Sequence, residues 1–124
     1  MKTIDTIAAT RPRGHYSQAI VHGGLVFVSG QLPIDADGNP LPDASVADQT
    51  KAVLGNIDTI LRAAGSGLDR ALQVTIYVSD MAFWDEVNAA YVEVLGDHRP
   101  TRAVIPVGTL HHGVALEVQT IAAA

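Results

Sequence analysis

An α+β domain, with two helices packed on one side of a mostly antiparallel sheet, is what this 124-residue chain predicts. Two β-prone runs joined by a glycine pair lie near the N-terminus. Two later segments repeat their apolar residues every three or four positions, and alternating strand patterns separate and follow them. The length, with 48% hydrophobic and 17% charged residues, fits one globular domain over residues 1–124.

The first two strands are Ala19-Ile20-Val21 and Leu25-Val26-Phe27-Val28. Between them His22-Gly23-Gly24 offers the positive φ angles of a tight hairpin. The Pro-rich stretch Leu32 to Asp43 reads as a surface loop. From Ser45 the period changes: Ala47, Thr50, Leu54, Ile57, Leu61 and Ala64 line one helical face, Ser45 and Asp48 are spaced as a capping pair, and Gly65 ends the helix. Leu72, Val74, Ile76 and Val78 then alternate with Gln73, Thr75, Tyr77 and Ser79, a strand whose second face is half apolar. A second helix begins near Met81, carries Phe83, Val87, Ala90, Tyr91 and Val94 on one side, and stops at Gly96. Thr101 to Val107 and Val114 to Ile121 close the chain as two strands. Paired as a hairpin about Leu110-His111, they set Arg102 opposite Gln119 and gather Arg102, Glu117 and Gln119 on one face.

Composition excludes several functions. A chain without cysteine has no thiol nucleophile, disulfide, thiolate zinc site or iron–sulfur cluster. Eight Lys and Arg against thirteen Asp and Glu give a net charge of −5, which repels phosphate backbones, so nucleic acid is not the expected partner. No apolar run approaches a membrane span and the first residues lack a leader pattern, which predicts a cytoplasmic protein without a membrane partner. Adjacent His111 and His112 lack a third ligand at useful spacing, so no metal is expected.

The remaining chemistry rests on a few polar side chains. Arg102 lies in the apolar run Thr101 to Ile105, where a guanidinium needs an anion: either Glu117 or a neighbouring subunit, or a bound carboxylate. Glu117 is either a paired surface residue or a general base. Tyr16 and Ser29 sit at strand edges, where their hydroxyls can serve a turn or a ligand, and Asn88 is a satisfied polar group or a ligand contact on the second helix.

Taken together, Gly14-His15-Tyr16-Ser17-Gln18-Ala19, Ser29-Gly30-Gln31-Leu32-Pro33, Val74 to Val78, Val87-Asn88 with Tyr91, Pro100-Thr101-Arg102-Ala103 and Leu116 to Ala122 resemble the reactive-intermediate deaminase (RidA/YjgF) family along nearly the whole chain. The resemblance implies a chorismate-mutase-like fold with a six-stranded sheet, and a homotrimer whose sheets form a central barrel with a ligand cleft at each interface. It also implies cofactor-free hydrolysis of enamines and imines such as 2-aminoacrylate and 2-iminobutanoate to 2-keto acids and ammonia. Arg102 would then clamp the substrate carboxylate, while Tyr16, Ser29, Gly30 and Asn88 line the cleft; the residues expected to set its depth, around Trp84 and the loop at His111, are not fixed by the shared motifs. One departure bears on catalysis: Gln119 stands where deaminating members usually have the Glu that positions water and exchanges protons. That leaves Glu117 and His15 as titratable candidates, with a non-catalytic carboxylate-binding or sensing protein as the alternative.

Overall fold

Ser45 starts the first helix as expected: its side chain accepts a hydrogen bond from the Asp48 N–H at 3.0 Å and caps α1, Val46–Ala63. In the computed structural model, which describes all 124 residues, α1 presses Val53, Leu54, Ile57, Ile60 and Leu61 into the core. Each of these side chains is fully buried, a contribution of about 1.5–3 kcal/mol apiece. Gly65, at φ +79°, turns the chain out of the helix. The second helix, α2 (Trp84–Leu95), follows a short 3-10 turn at Met81–Phe83 and ends at Gly96, φ +60°.

The strands are β1 (Lys2–Ile4), β2 (Ala19–His22), β3 (Leu25–Gln31), β4 (Ala71–Val78), β5 (Thr101–Pro106) and β6 (Leu116–Ala123). They form one six-stranded sheet in the order β1-β2-β3-β6-β4-β5, antiparallel except for the β4–β5 pair. Both helices cover one face, the chorismate-mutase-like arrangement expected. Gly23 and Gly24, at φ +59° and +79°, make the β2–β3 turn. No helix is long and apolar enough to cross a membrane.

Four details differ from the sequence reading. β1 carries no alternation long enough to be legible, since it is three residues paired at an edge. Leu72 is 47% exposed because a register shift between Ala71 and Gln73 puts Ala71 in the core in its place. On α2 the helical turn buries Leu95 and leaves Val94 at the surface.

The fourth correction matters most: β5 and β6 are not a hairpin. β5 runs parallel to β4, joined to it through α2, and β6 inserts between β3 and β4. Backbone pairing explains the choice. β6 buries Leu116, Val118, Thr120 and Ala122 against the helices and satisfies its ladder on both sides, whereas β5, ending at Pro106 with no N–H to donate, tolerates an edge. Arg102 is therefore level with Val74, and Gln119 with Thr75. With alternate residues on alternate faces, Arg102 points to the helix side and Glu117 and Gln119 to the open side.

Candidate functional site

On the helix side, β5 projects Arg102 toward α2. Its Nη1 donates to Asn88 Oδ1 at 2.8 Å, and its guanidinium carbon lies 4.8 Å from the centre of the Tyr91 ring and 5.7 Å from that of Trp84. Two aromatic faces and one amide hold the planar cation while leaving donors free. No carboxylate pairs with it: the three ion pairs are Arg11–Asp5, Lys51–Glu93 and Arg62–Asp58. The anticipated Arg102–Glu117 partnership is absent because the two occupy opposite faces. Burial pushes the Tyr91 phenol up, against the pull of Arg102, so it stays neutral, and its hydroxyl has no hydrogen-bond partner in the chain.

On the open side, the β3–β6 ladder breaks between Val28 and Gln31, and Ser29 and Gly30 leave the register. The Ser29 hydroxyl donates to the Ser17 carbonyl at 2.6 Å, and its N–H donates to Gln18 O at 2.9 Å. Ser29 thus ties the bulge to the segment carrying Tyr16 while retaining an oxygen lone pair. Gln18, fully buried, anchors the preceding chain: its amide accepts from Thr6 N–H and donates to the Thr6 and Thr10 carbonyls. Tyr16 remains 53% exposed.

The bulge brings Gly30 under Glu117. A Cβ on residue 30 would stand 2.6 Å from Glu117 Oε1, so the glycine is what lets the carboxylate lie against the backbone. Burial raises the Glu117 pKa above the ordinary carboxylate range, and His111 opposes the rise. Tyr16, Gly30, Gln31, His111 and Glu117 line a cavity of about 210 Å³, and Tyr16, Ser29, Phe27 and Gln119 line an adjoining hollow. Gln119 is exposed, and its carbonyl oxygen accepts the Tyr77 hydroxyl at 3.3 Å.

The candidate residues thus fall into two groups. Arg102, Asn88 and Trp84 meet on one side; Tyr16, Ser29, Gly30, Glu117 and Gln119 meet on the other. His15 is exposed and lines neither cavity at Tyr16. Tyr91 and Tyr77 escaped the sequence reading, because a tyrosine on an apolar helix face or alternating strand reads as packing. His111 is held there by a 3-10 turn in which His112 takes φ +62°, the one non-glycine residue with positive φ. No group of three or more metal-ligating side chains assembles.

This topology and this polar set define a small α+β protein of the chorismate-mutase-like type. The family model described as Endoribonuclease L-PSP matches residues 6–124, and the chain belongs to that family, which includes RidA and YjgF. It is 39% identical to a RutC family protein of Pyrococcus horikoshii over 121 residues, covering 98% of this chain and 96% of the relative. Among solved structures it is similar to TdcF from E. coli with bound serine, at 31% identity and TM-score 0.93, covering 100% of this chain and 99% of that one. RidA from an Antarctic Psychrobacter bacterium also matches, at 31% identity and TM-score 0.93 over the full length of both chains.

Proposed function

We propose that this protein hydrolyses small 2-imino and 2-enamino carboxylates to 2-keto acids and ammonia, in a cleft built between two copies of a homotrimer. The observation that carries the reading is Arg102: a half-buried guanidinium oriented by Asn88 and two aromatic rings, with no carboxylate of its own chain to neutralise it. Such a group is preorganised for a carboxylate ligand. The TdcF structure holds serine, whose carboxylate is the kind of group Arg102 would take.

The layout of the sheet supports a second copy. Arg102 and the Tyr16–Ser29–Glu117 group sit on opposite faces of one chain, so the two meet around one ligand only when another protomer brings its open face to the β5 edge. Half-apolar open-face residues support such packing: Phe27, 43% exposed, lies opposite Ile121, and Ile105 and Val107 are exposed at the far edge. Three-fold closure would satisfy every edge in turn.

An imine carbon is already electrophilic, so orientation, an ordered water and proton transfer suffice, and the proposed reaction calls for no cofactor. The second reading, a trimer that binds small carboxylates without turnover, draws on Gln119, since an amide cannot accept a proton near neutral pH. The endoribonuclease in the family description fits this chain poorly, because its charge of −5 opposes a polyanion. Generating 2-aminoacrylate and 2-iminobutanoate in situ with a dehydratase, and following their decay with and without the protein, separates the readings. Accelerated decay with stoichiometric keto acid supports the deaminase; ligand binding with unchanged decay supports the carboxylate-binding protein.

A further inference from the structure

We propose that Glu117, set in the cavity beside Tyr16 and Gly30, is the proton carrier of this site. The proposal rests on the deaminase reading above. Four observations support it. The Gln119 carbonyl oxygen already accepts from Tyr77, and its amide cannot take up a proton near neutral pH. Glu117 lies two residues along the same strand on the same face, about 6.5–7 Å away. Its carboxylate presses on Gly30, where any side chain would displace it. Finally, no salt bridge or hydrogen bond from this chain fixes it, although it is half-buried. A carboxylate kept for structure would be expected to have a cation or N–H partner at such a position.

The groups facing it come from every neighbouring element. His111 and Arg11 stand on the cavity wall, Tyr16 and Gln18 come from the N-terminal segment, and Tyr77 lies opposite on β4. Within one chain burial outweighs His111 and raises the Glu117 pKa, while in the proposed cleft the partner's Arg102 faces the carboxylate as well and pulls the other way.

The chemistry balances with this one residue. Water oxygen bonds to C2 of the protonated imine, the C=N π pair moves to nitrogen, and the water proton passes to Glu117, giving a neutral carbinolamine. Glu117 returns that proton to the amine. It then accepts the hydroxyl proton as the C–N bond breaks with its electron pair on nitrogen, and the carbonyl forms. The last proton goes to the released ammonia, so imine cation and water yield keto acid and ammonium.

The test is Glu117→Gln in the full trimer, read by single-turnover decay of 2-iminobutanoate, calorimetric binding of 2-ketobutyrate, and thermal melts. The expected result is a loss of roughly 10²-fold or more in the chemical step, with keto-acid binding kept because Arg102 is intact. In wild type, kcat/KM should fall as pH drops through the Glu117 pKa, and that acidic limb should vanish in the variant. The double variant Glu117→Gln, Gln119→Glu should recover part of the rate.

The melts check that Glu117 is not kept for stability, while the kinetic limb tests its role. A folded pKa above the unfolded one means that the folded state binds more protons between the two values, so stability falls as pH rises through them. Glu117→Gln should therefore melt no lower than wild type at pH 7, and the difference should vanish below the unfolded carboxylate pKa. If wild type turns over and Glu117→Gln keeps both its rate and its acidic limb, the proposal is wrong and the deaminase reading stands. If wild type binds keto acid but never accelerates imine decay, the deaminase reading fails, and the proposal with it.

Discussion

The two faces of the sheet handle charge in different ways. On the helix side Arg102 is closely held: an amide oxygen at 2.8 Å and two rings within 6 Å surround it, and no carboxylate of the chain pairs with it. On the open side nothing so rigid exists. Tyr16 is exposed, Glu117 is wedged over a glycine without a partner, and Gln119 leans on Tyr77. In the proposed reaction one face grips the substrate and the other handles water. A carboxylate needs a fixed fork of donors, whereas moving a proton needs a group whose charged form is not locked in place. Placing the two on opposite faces keeps Arg102 from neutralising Glu117 within one chain, which a hairpin register would have allowed.

Removing the grip should have the largest effect. Arg102→Ala is expected to weaken 2-ketobutyrate binding by about 2–5 kcal/mol, measured by calorimetry, with the far-UV spectrum and assembly state unchanged. Wild-type affinity would mean that the cation serves packing and that the two-face contrast has no functional content.

Disturbing the water side should look different. Gly30→Ala pushes against the far end of the Glu117 side chain, which can swing away, so the fold should survive while kcat falls roughly 10- to 10²-fold with KM little changed. Steady-state kinetics on in-situ 2-iminobutanoate checks this. A raised KM at unchanged kcat would place Gly30 and Glu117 on the gripping side.

Asn88→Ala tests how much of the grip is orientation. Loss of one charge-assisted hydrogen bond worth about 1.5–3 kcal/mol lets Arg102 move, and KM should rise roughly tenfold with kcat nearly intact. The smallest effect is expected from Tyr77→Phe. It frees the Gln119 carbonyl to hold water, so the rate should change by no more than about threefold, while the exposed hydrogen bond it loses should cost under about 1 kcal/mol in melts.

The elements and most of the candidate residues were legible in the sequence, but the contrast between the faces was not, for a physical reason. The helix caps at Ser45, Gly65 and Gly96 and the Gly23-Gly24 turn are local, set by a few residues and their φ angles, and each appears where expected. Arg102, Asn88, Tyr16, Ser29 and Gly30 were identified as candidates from residue type and from resemblance. Which of them share a face was not legible, because strand order is decided far along the chain. Nothing in Thr101 to Pro106 says that β4 will pair with it in parallel, or that β6 will insert between β3 and β4. Alternation within β5 correctly puts Arg102 and Val104 on one face, but joining that face to the one bearing Glu117 and Gln119 required a register the chain does not adopt. The bulge at Ser29-Gly30 was hidden for a similar reason, since a glycine in a strand can mark a bulge, a close approach or neither.

The most direct test of a site shared between copies is complementation of two defective chains. Arg102→Ala removes the grip. Gly30→Val displaces Glu117 and fills the space beside Tyr16. Each alone should be nearly inactive on 2-iminobutanoate. Co-expressed, with mixed assemblies verified by native mass spectrometry, they should form interfaces that combine one chain's intact Arg102 with the other's intact Gly30, and random mixing in a closed ring should return roughly one quarter of wild-type activity. Mixed assemblies no more active than the two parents would contradict a site built from both faces.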